Sequence, residues 1–196
     1  MRTHEGKARS INSEEFQRVI DETLKHSQFP ERDTAILAVS FYSGLRAMEI
    51  CNLNLGDILD NEGQIKQQVT LRKIGIKGAK GGVAYFSHPV LREYLSKYLV
   101  EKRSVKATDC EAVFLSRVTK RFSPSSMSQL FTRLYQEAGL EGCTSHTGRR
   151  SLARNLNRSG VSLYNIQKVL RHANISQTVE YIDCDTDLLA NIVSTV

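Results

Sequence analysis

No apolar run in this sequence is long enough to cross a bilayer. The longest candidate, AILAV at Ala35–Val39, falls far short of the ~20 residues a spanning helix needs. The N-terminal MRTHEGKARS is polar and basic and lacks the apolar centre of a secretory signal. Both absences argue against a membrane and for the cytoplasm of a host cell. Four cysteines, Cys51, Cys110, Cys143 and Cys184, lie far apart and form no CxxC pair. That argues against a zinc site and for reduced thiols in a cytosolic protein. No internal repeat or low-complexity segment interrupts the chain. What remains is 196 residues, 40% hydrophobic and 24% charged, enough for one domain with its own core. A formal net charge of +6 suits a polyanionic partner such as nucleic acid, although basic proteins serve many other roles.

The pattern predicts a mainly helical α+β domain with one small antiparallel sheet. Asn12-Ser13-Glu14-Glu15 has the form of a capping box, and Phe16, Val19, Ile20 and Leu24 follow at helical spacing. A second helix is expected over 31–43, ended by Gly44, with another beginning near Leu45. QQVTLRK alternates, IGIKGAKGG is glycine-rich and VAYFS is apolar again, so a basic hairpin is expected there. Pro89 opens a helix to about 101, and AVFLS (112–116) reads as a short strand or extended connector. Ser123-Pro124 caps a further helix running to Gly139. The last third predicts helices over about 146–158, 162–171 and 176–181. Residues 1–10 read as a flexible basic lead-in, 11–184 as the domain and 185–196 as a weakly amphipathic tail.

SHTGRRSLARNLNRSG, 145–160, holds four arginines that divide on a helical wheel. With His146 at zero, Arg150, Arg154 and Arg158 fall at about 40°, 80° and 120°, a polar stripe expected to be solvated. Leu152, Leu156 and Ala153 define the opposite, apolar face, and Arg149 falls at about 300°, among them. A guanidinium on that side needs a partner, because burying an unpaired charge costs several kcal/mol or more. That partner is either a buried carboxylate or an anion that arrives from outside, which the planar fork of arginine suits. His146, one turn earlier, reaches the same side. Arg46 and Glu49 in SGLRAMEI are either a surface ion pair or a clamp with its orienting carboxylate. Lys77 and Lys80 sit on a glycine-flanked turn: Lys80 reads as a solvated tip that can touch DNA, and either lysine can enter a groove. His172 and Tyr181 stand nine residues apart in VLRHANISQTVEYI.

Taken in order, GLRAMEI, KGAKGG, His146-Thr147-Gly148-Arg149, His172 and Tyr181 resemble the boxes of the tyrosine recombinase, or phage integrase, family. The resemblance covers roughly residues 10–183. Each motif alone is weak, and five in order are strong. The chain departs from the pattern at Thr147, Gly148 and Arg150, where the family more often has an acidic residue, a leucine and a second histidine. It departs again at Arg171, where glycine is usual. Only about 40 residues precede Arg46, too few for the N-terminal helical clamp domain that family members usually carry, so a fragment or a short integrase is expected.

The resemblance implies a site-specific DNA recombinase acting on double-stranded DNA through a 3′-phosphotyrosine. Tyr181 is the implied nucleophile and Arg46 and Arg149 the clamps on non-bridging oxygens, with Glu49 in support. Lys77 is the implied acid for the leaving 5′ oxygen, His146 a base, and His172 a donor to a non-bridging oxygen. Neither metal nor ATP is implied, because the arginines supply the electrostatics and the ester conserves the bond energy. Arg150, Arg154 and Arg158 are expected to meet DNA phosphates. The tail, with Leu188, Leu189, Ile192 and Val193, is expected to pack on a neighbouring protomer in a tetrameric synapse. A type IB topoisomerase and a non-catalytic DNA-binding descendant of an integrase are the rival readings.

Overall fold

The computed structural model describes residues 8–72, 81–103 and 110–182. The helix α1 (Ser13–His26) starts at the expected capping box: Glu15 N–H donates to Asn12 Oδ1 at 2.8 Å, and Asn12 N–H to Glu15 Oε2 at 3.0 Å. It buries Phe16, Val19, Ile20 and Thr23. Leu24 is 46% exposed, because at about 80° from Phe16 it lies at the edge of that stripe rather than within it.

Pro30 begins α2 (Pro30–Ser43), which is buried on all sides from Arg32 to Phe41 and forms the axis of the domain. Helices α1, α5 (Pro89–Arg103) and α7 (Thr147–Arg158) pack around it. Gly44 ends α2 in the left-handed conformation, φ 63°, and its N–H closes on Ser40 O. The chain then turns into α3 (Ala47–Cys51) and α4 (Leu55–Ile58). The small sheet is a two-stranded antiparallel pair, β1 (Gln68–Thr70) and β2 (Val83–Tyr85), with Val69 opposite Ala84 and both buried. Lys77 and Lys80, expected on the glycine-flanked turn, lie outside the described residues.

AVFLS is an extended connector held by single bridges, Asn54 to Ala112 and Leu115 to Arg121. Ser123 caps α6 (Pro124–Glu137) as expected. After α7 come α8 (Leu163–Leu170) and α9 (Ile175–Val179). The fold is mainly helical with one small antiparallel sheet, as the pattern predicted. Among the described residues no helix is long and apolar enough to cross a membrane.

One close approach fixes the site. A Cβ added at Gly148 would stand 2.5 Å from Ser40 Oγ, 2.9 Å from Ser40 C and 3.0 Å from Phe41 N, so α7 and α2 touch backbone to backbone there. Alanine normally gains ~1 kcal/mol over glycine inside a helix. Here it meets main-chain atoms, and overpacking of that kind costs about 1–3 kcal/mol. Gly148→Ala should therefore lose up to about 2 kcal/mol net and lower the melting temperature by up to about 8 °C in a thermal melt, at about 2–4 °C per kcal/mol for a chain this size. A variant as stable as the parent would show that the two helices separate freely.

Candidate active site

The Gly148 contact sets the next residue, Arg149, against the C-terminal end of α2. Its side chain is fully buried, as its place on the apolar face implied. No carboxylate holds it among the described residues. Nη1 donates to Gly44 O at 2.5 Å and Nη2 to Leu170 O, two carbonyls at the ends of α2 and α8, while Nε is buried and has no partner among the described residues. Of the two readings of Arg149, the structural salt bridge is thus absent. Burial, then the charges of Arg46 and Arg171, pulls its pKa down to about 9, with Glu49 opposing. It remains protonated at neutral pH.

Arg46 stands at the N-cap of α3, and Glu49 one turn on reaches back to it. Glu49 Oε2 accepts from Arg46 N–H at 2.7 Å and Oε1 from Arg46 Nη1 at 3.1 Å. This pair is about two-thirds buried at the arginine and more so at the glutamate, so it is no solvated surface pair. Arg171 Nη2 approaches the same carboxylate, 3.1 Å from Oε2. The carboxyl of Glu49 stays below its ordinary range: burial works against ionisation, but Arg171, the Arg46 backbone N–H, and the Arg46 and Arg149 charges outweigh it. Arg46 and Arg171 share this one carboxylate, and the buried Arg149 adds a third guanidinium that it influences without a hydrogen bond, an imbalance that favours an arriving anion.

His172 is buried, and its Nδ1 is 2.9 Å from Thr178 Oγ1, which fixes the ring. Burial first, then Arg149, Arg46 and Arg171, holds its pKa down at about 4. His146, at the N-cap of α7, is likewise depressed by burial and then by Arg149 and Arg46. Tyr181 lies just past α9 rather than within it, half-buried. Its Oη is 3.4 Å from His146 Nδ1, its ring meets His172 edge-on at 5.0 Å, and the Arg150 guanidinium lies 5.9 Å from its centroid. Arg46, Glu49, His146, Arg149, His172 and Tyr181, scattered over some 135 positions, therefore converge. Among the described residues no three His, Cys, Asp or Glu side chains gather as metal ligands would.

The solvated stripe is corrected. Arg150 is 5% exposed and donates to Ala8 O at 2.5 Å and to Glu180 O at 3.4 Å. Arg154 is half-buried, 3.3 Å from Ser10 Oγ. Only Arg158 of the three is exposed. The wheel of α7 alone does not show that residues 8–11 and the end of α9 lie across its first turns, where Ile11 N–H also donates to Ser151 Oγ at 2.8 Å. Arg150 ties the lead-in to the tyrosine segment through the Ala8 and Glu180 carbonyls. The residue that sequence reasoning missed is Arg171. Its signal was the departure itself, a basic side chain at a turn that suits glycine.

A depressed histidine makes stability depend on pH. His172 titrates near 4 folded, against an ordinary 6.5, so between those values the unfolded chain binds the extra proton. Its contribution is fully present above about 6.5 and is lost as pH falls towards 4. Melting temperatures recorded from pH 7.5 down to 4 should fall more steeply for the wild type than for His172→Gln. The loss from Glu49 as its carboxyl protonates is common to both and cancels in the difference. Parallel curves would show that His172 titrates normally.

This helical scaffold, with its arginines, imidazoles and tyrosine in this order, defines a catalytic domain of the tyrosine recombinase type. The chain belongs to the phage integrase family, which matches residues 9–187. It is 32% identical over 169 residues to the tyrosine recombinase XerC of Caldanaerobacter subterraneus subsp. tengcongensis, covering 85% of this chain and 45% of that protein. XerC of Alcanivorax borkumensis is 32% identical over 162 residues, 82% of this chain and 50% of the relative. The chain thus spans about half the length of the curated relatives it matches. The crystal structure of XerA recombinase superposes with a TM-score of 0.78 at 26% identity, covering 95% of this chain and 64% of that one. XerH site-specific recombinase, solved bound to its palindromic difH substrate, shares the fold at 20% identity and a TM-score of 0.74, over 99% of this chain and 55% of its own.

Proposed function

We propose that residues 11–184 are the catalytic domain of a site-specific recombinase that cuts and rejoins double-stranded DNA in the cytoplasm of its host. The observation that carries this is the tyrosine hydroxyl 3.4 Å from a depressed imidazole, beside the guanidiniums of Arg46 and Arg171 that share Glu49 and the buried guanidinium of Arg149. In the reaction, Tyr181 Oη forms a bond to the scissile phosphorus and the bond to the 5′ oxygen breaks. His146 Nδ1 takes the phenol proton, and Lys77 gives one to the leaving oxygen. Arg46 and Arg149 stabilise the added charge on the pentavalent centre, and His172, held neutral by its surroundings, donates to a non-bridging oxygen. A 5′-hydroxyl from a second strand then attacks the phosphotyrosine, which exchanges strands without metal or ATP. Arg158 and Lys80 contribute backbone affinity, and residues 185–196 pack on a neighbouring protomer in a tetrameric synapse.

The test is covalent capture. The protein is incubated with a pool of nicked duplexes carrying a randomised segment, and adducts are recovered from a denaturing gel and sequenced. A wild-type adduct centred on a preferred sequence supports a recombinase. Adducts without sequence preference, together with relaxation of supercoiled plasmid, would favour a topoisomerase. DNA binding with no adduct would identify a binding module.

A further inference from the structure

Arg171 is the C-cap of α8, and its backbone is left-handed, φ 55° and ψ 38°. A Cβ disfavours that conformation and glycine relieves it. Both terminal nitrogens of the arginine are nevertheless bonded, while its Nε is buried with no partner among the described residues. The side chain is 10% exposed, with Nη1 2.9 Å from Val169 O, and Nη2 3.1 Å from Glu49 Oε2 and 3.3 Å from Gly44 O. Its methylenes lie on Gly82, at the root of β2: a Cβ there would come within 2.5 Å of Arg171 Cδ. One side chain therefore spans the end of α8, the segment from Gly44 to Glu49 and Gly82 at the start of β2.

Both of its distant acceptors are shared with a clamp. Gly44 O also accepts from Arg149, and Glu49 also holds Arg46 by side chain and backbone. Resting on the recombinase reading above, we propose that Arg171 is a positioning residue for strand cleavage, fixing the separation of the Arg46 and Arg149 clamps through Glu49 and Gly44. Arg171 does not touch the phosphate. Its charge adds to the positive field at His172, and that field favours the more highly charged transition state over the bound diester.

A latch that merely holds α8 in place would affect folding alone, so the experiment reads chemistry and folding separately. Wild type, Arg171→Gly and Arg171→Lys are compared on the nicked duplex that the wild type selects from the randomised pool. Four quantities are recorded: melting temperature, DNA affinity, single-turnover adduct rate at saturating DNA, and the pH profile of that rate. Glycine relaxes the turn and so offsets part of the buried packing and hydrogen bonding that the arginine supplies, and Arg171→Gly should stay folded at the assay temperature. Its adduct rate should fall by about tenfold or more with affinity little changed, because misplacing clamps slows the reaction more than it weakens binding. The acid limb of its pH profile should move upward as His172 loses a neighbouring cation. Arg171→Lys should recover part of the rate, since an ammonium still reaches Glu49. A glycine variant with wild-type rate and pH profile would overturn the proposal, as would a rate loss matched by the fraction unfolded. If the wild type forms no adduct, the recombinase reading itself fails, and this inference with it.

Discussion

Tyr181→Phe should abolish covalent attachment to DNA while leaving the fold and the DNA affinity almost unchanged. Phenylalanine keeps the ring that packs edge-on against His172 and lies under the Arg150 guanidinium. It loses only the hydroxyl, whose described hydrogen-bond partner is His146 Nδ1 at a long 3.4 Å. A contact of that length on a half-exposed group contributes little, so stability should change by no more than about 0.5 kcal/mol. The chemistry changes entirely, because no oxygen is left to bond to phosphorus. The measurement pairs a denaturing-gel adduct assay with a melt and a gel-shift titration. An adduct of undiminished yield in the phenylalanine variant would mean that another side chain is the nucleophile. A large fall in melting temperature would mean that the hydroxyl is a structural group, and the pairing with His146 would lose its meaning.

Much of the fold was legible because its signals are local. The Asn12 and Glu15 box, the Ser123-Pro124 cap and the Gly44 stop each depend on a few neighbouring residues, and each marks the boundary it should. Arg149 was legible for a different reason: a 3.6-residue period places it among leucines whatever else the chain does. Arg150 was misread by the same wheel. Its burial depends on residues 8–11 and on Glu180, segments 140 and 30 positions away, and a helical projection contains no such information. Arg171 was visible only as a breach of a familiar pattern. Its role needs the convergence of α8, the Gly44 turn and β2, which no spacing along the chain encodes. The connector at 112–116 stayed ambiguous because four consecutive apolar residues suit a strand, and whether a strand forms depends on a partner edge that here supplies only single bridges.

Arg149→Lys should cost both rate and stability, whereas Arg158→Ala should cost neither to a comparable degree. Lysine keeps the charge but replaces a five-donor fork by a single ammonium on a shorter reach. Gly44 O and Leu170 O now share the two terminal nitrogens of Arg149, and one ammonium cannot reproduce both bonds and also face an anion. An orphaned carbonyl at a buried helix end costs about 1–3 kcal/mol, so the lysine variant should melt several degrees lower. Losing one arm of the clamp should slow single-turnover adduct formation by about 10²–10³-fold at saturating DNA, the magnitude typical of removing one preorganised donor from a developing anion. Arg158 is exposed near the far end of the same helix. Its removal should weaken DNA binding modestly and reduce the salt dependence by about one phosphate contact, with the saturated rate unchanged. The comparison separates two arginines that the sequence sets nine residues apart in one basic stretch. Should Arg149→Lys lose stability yet cleave within about threefold of the wild-type rate, far short of a lost oxyanion donor, Arg149 would be a peg that ties α7 to the ends of α2 and α8, and the anion would belong to Arg46 alone.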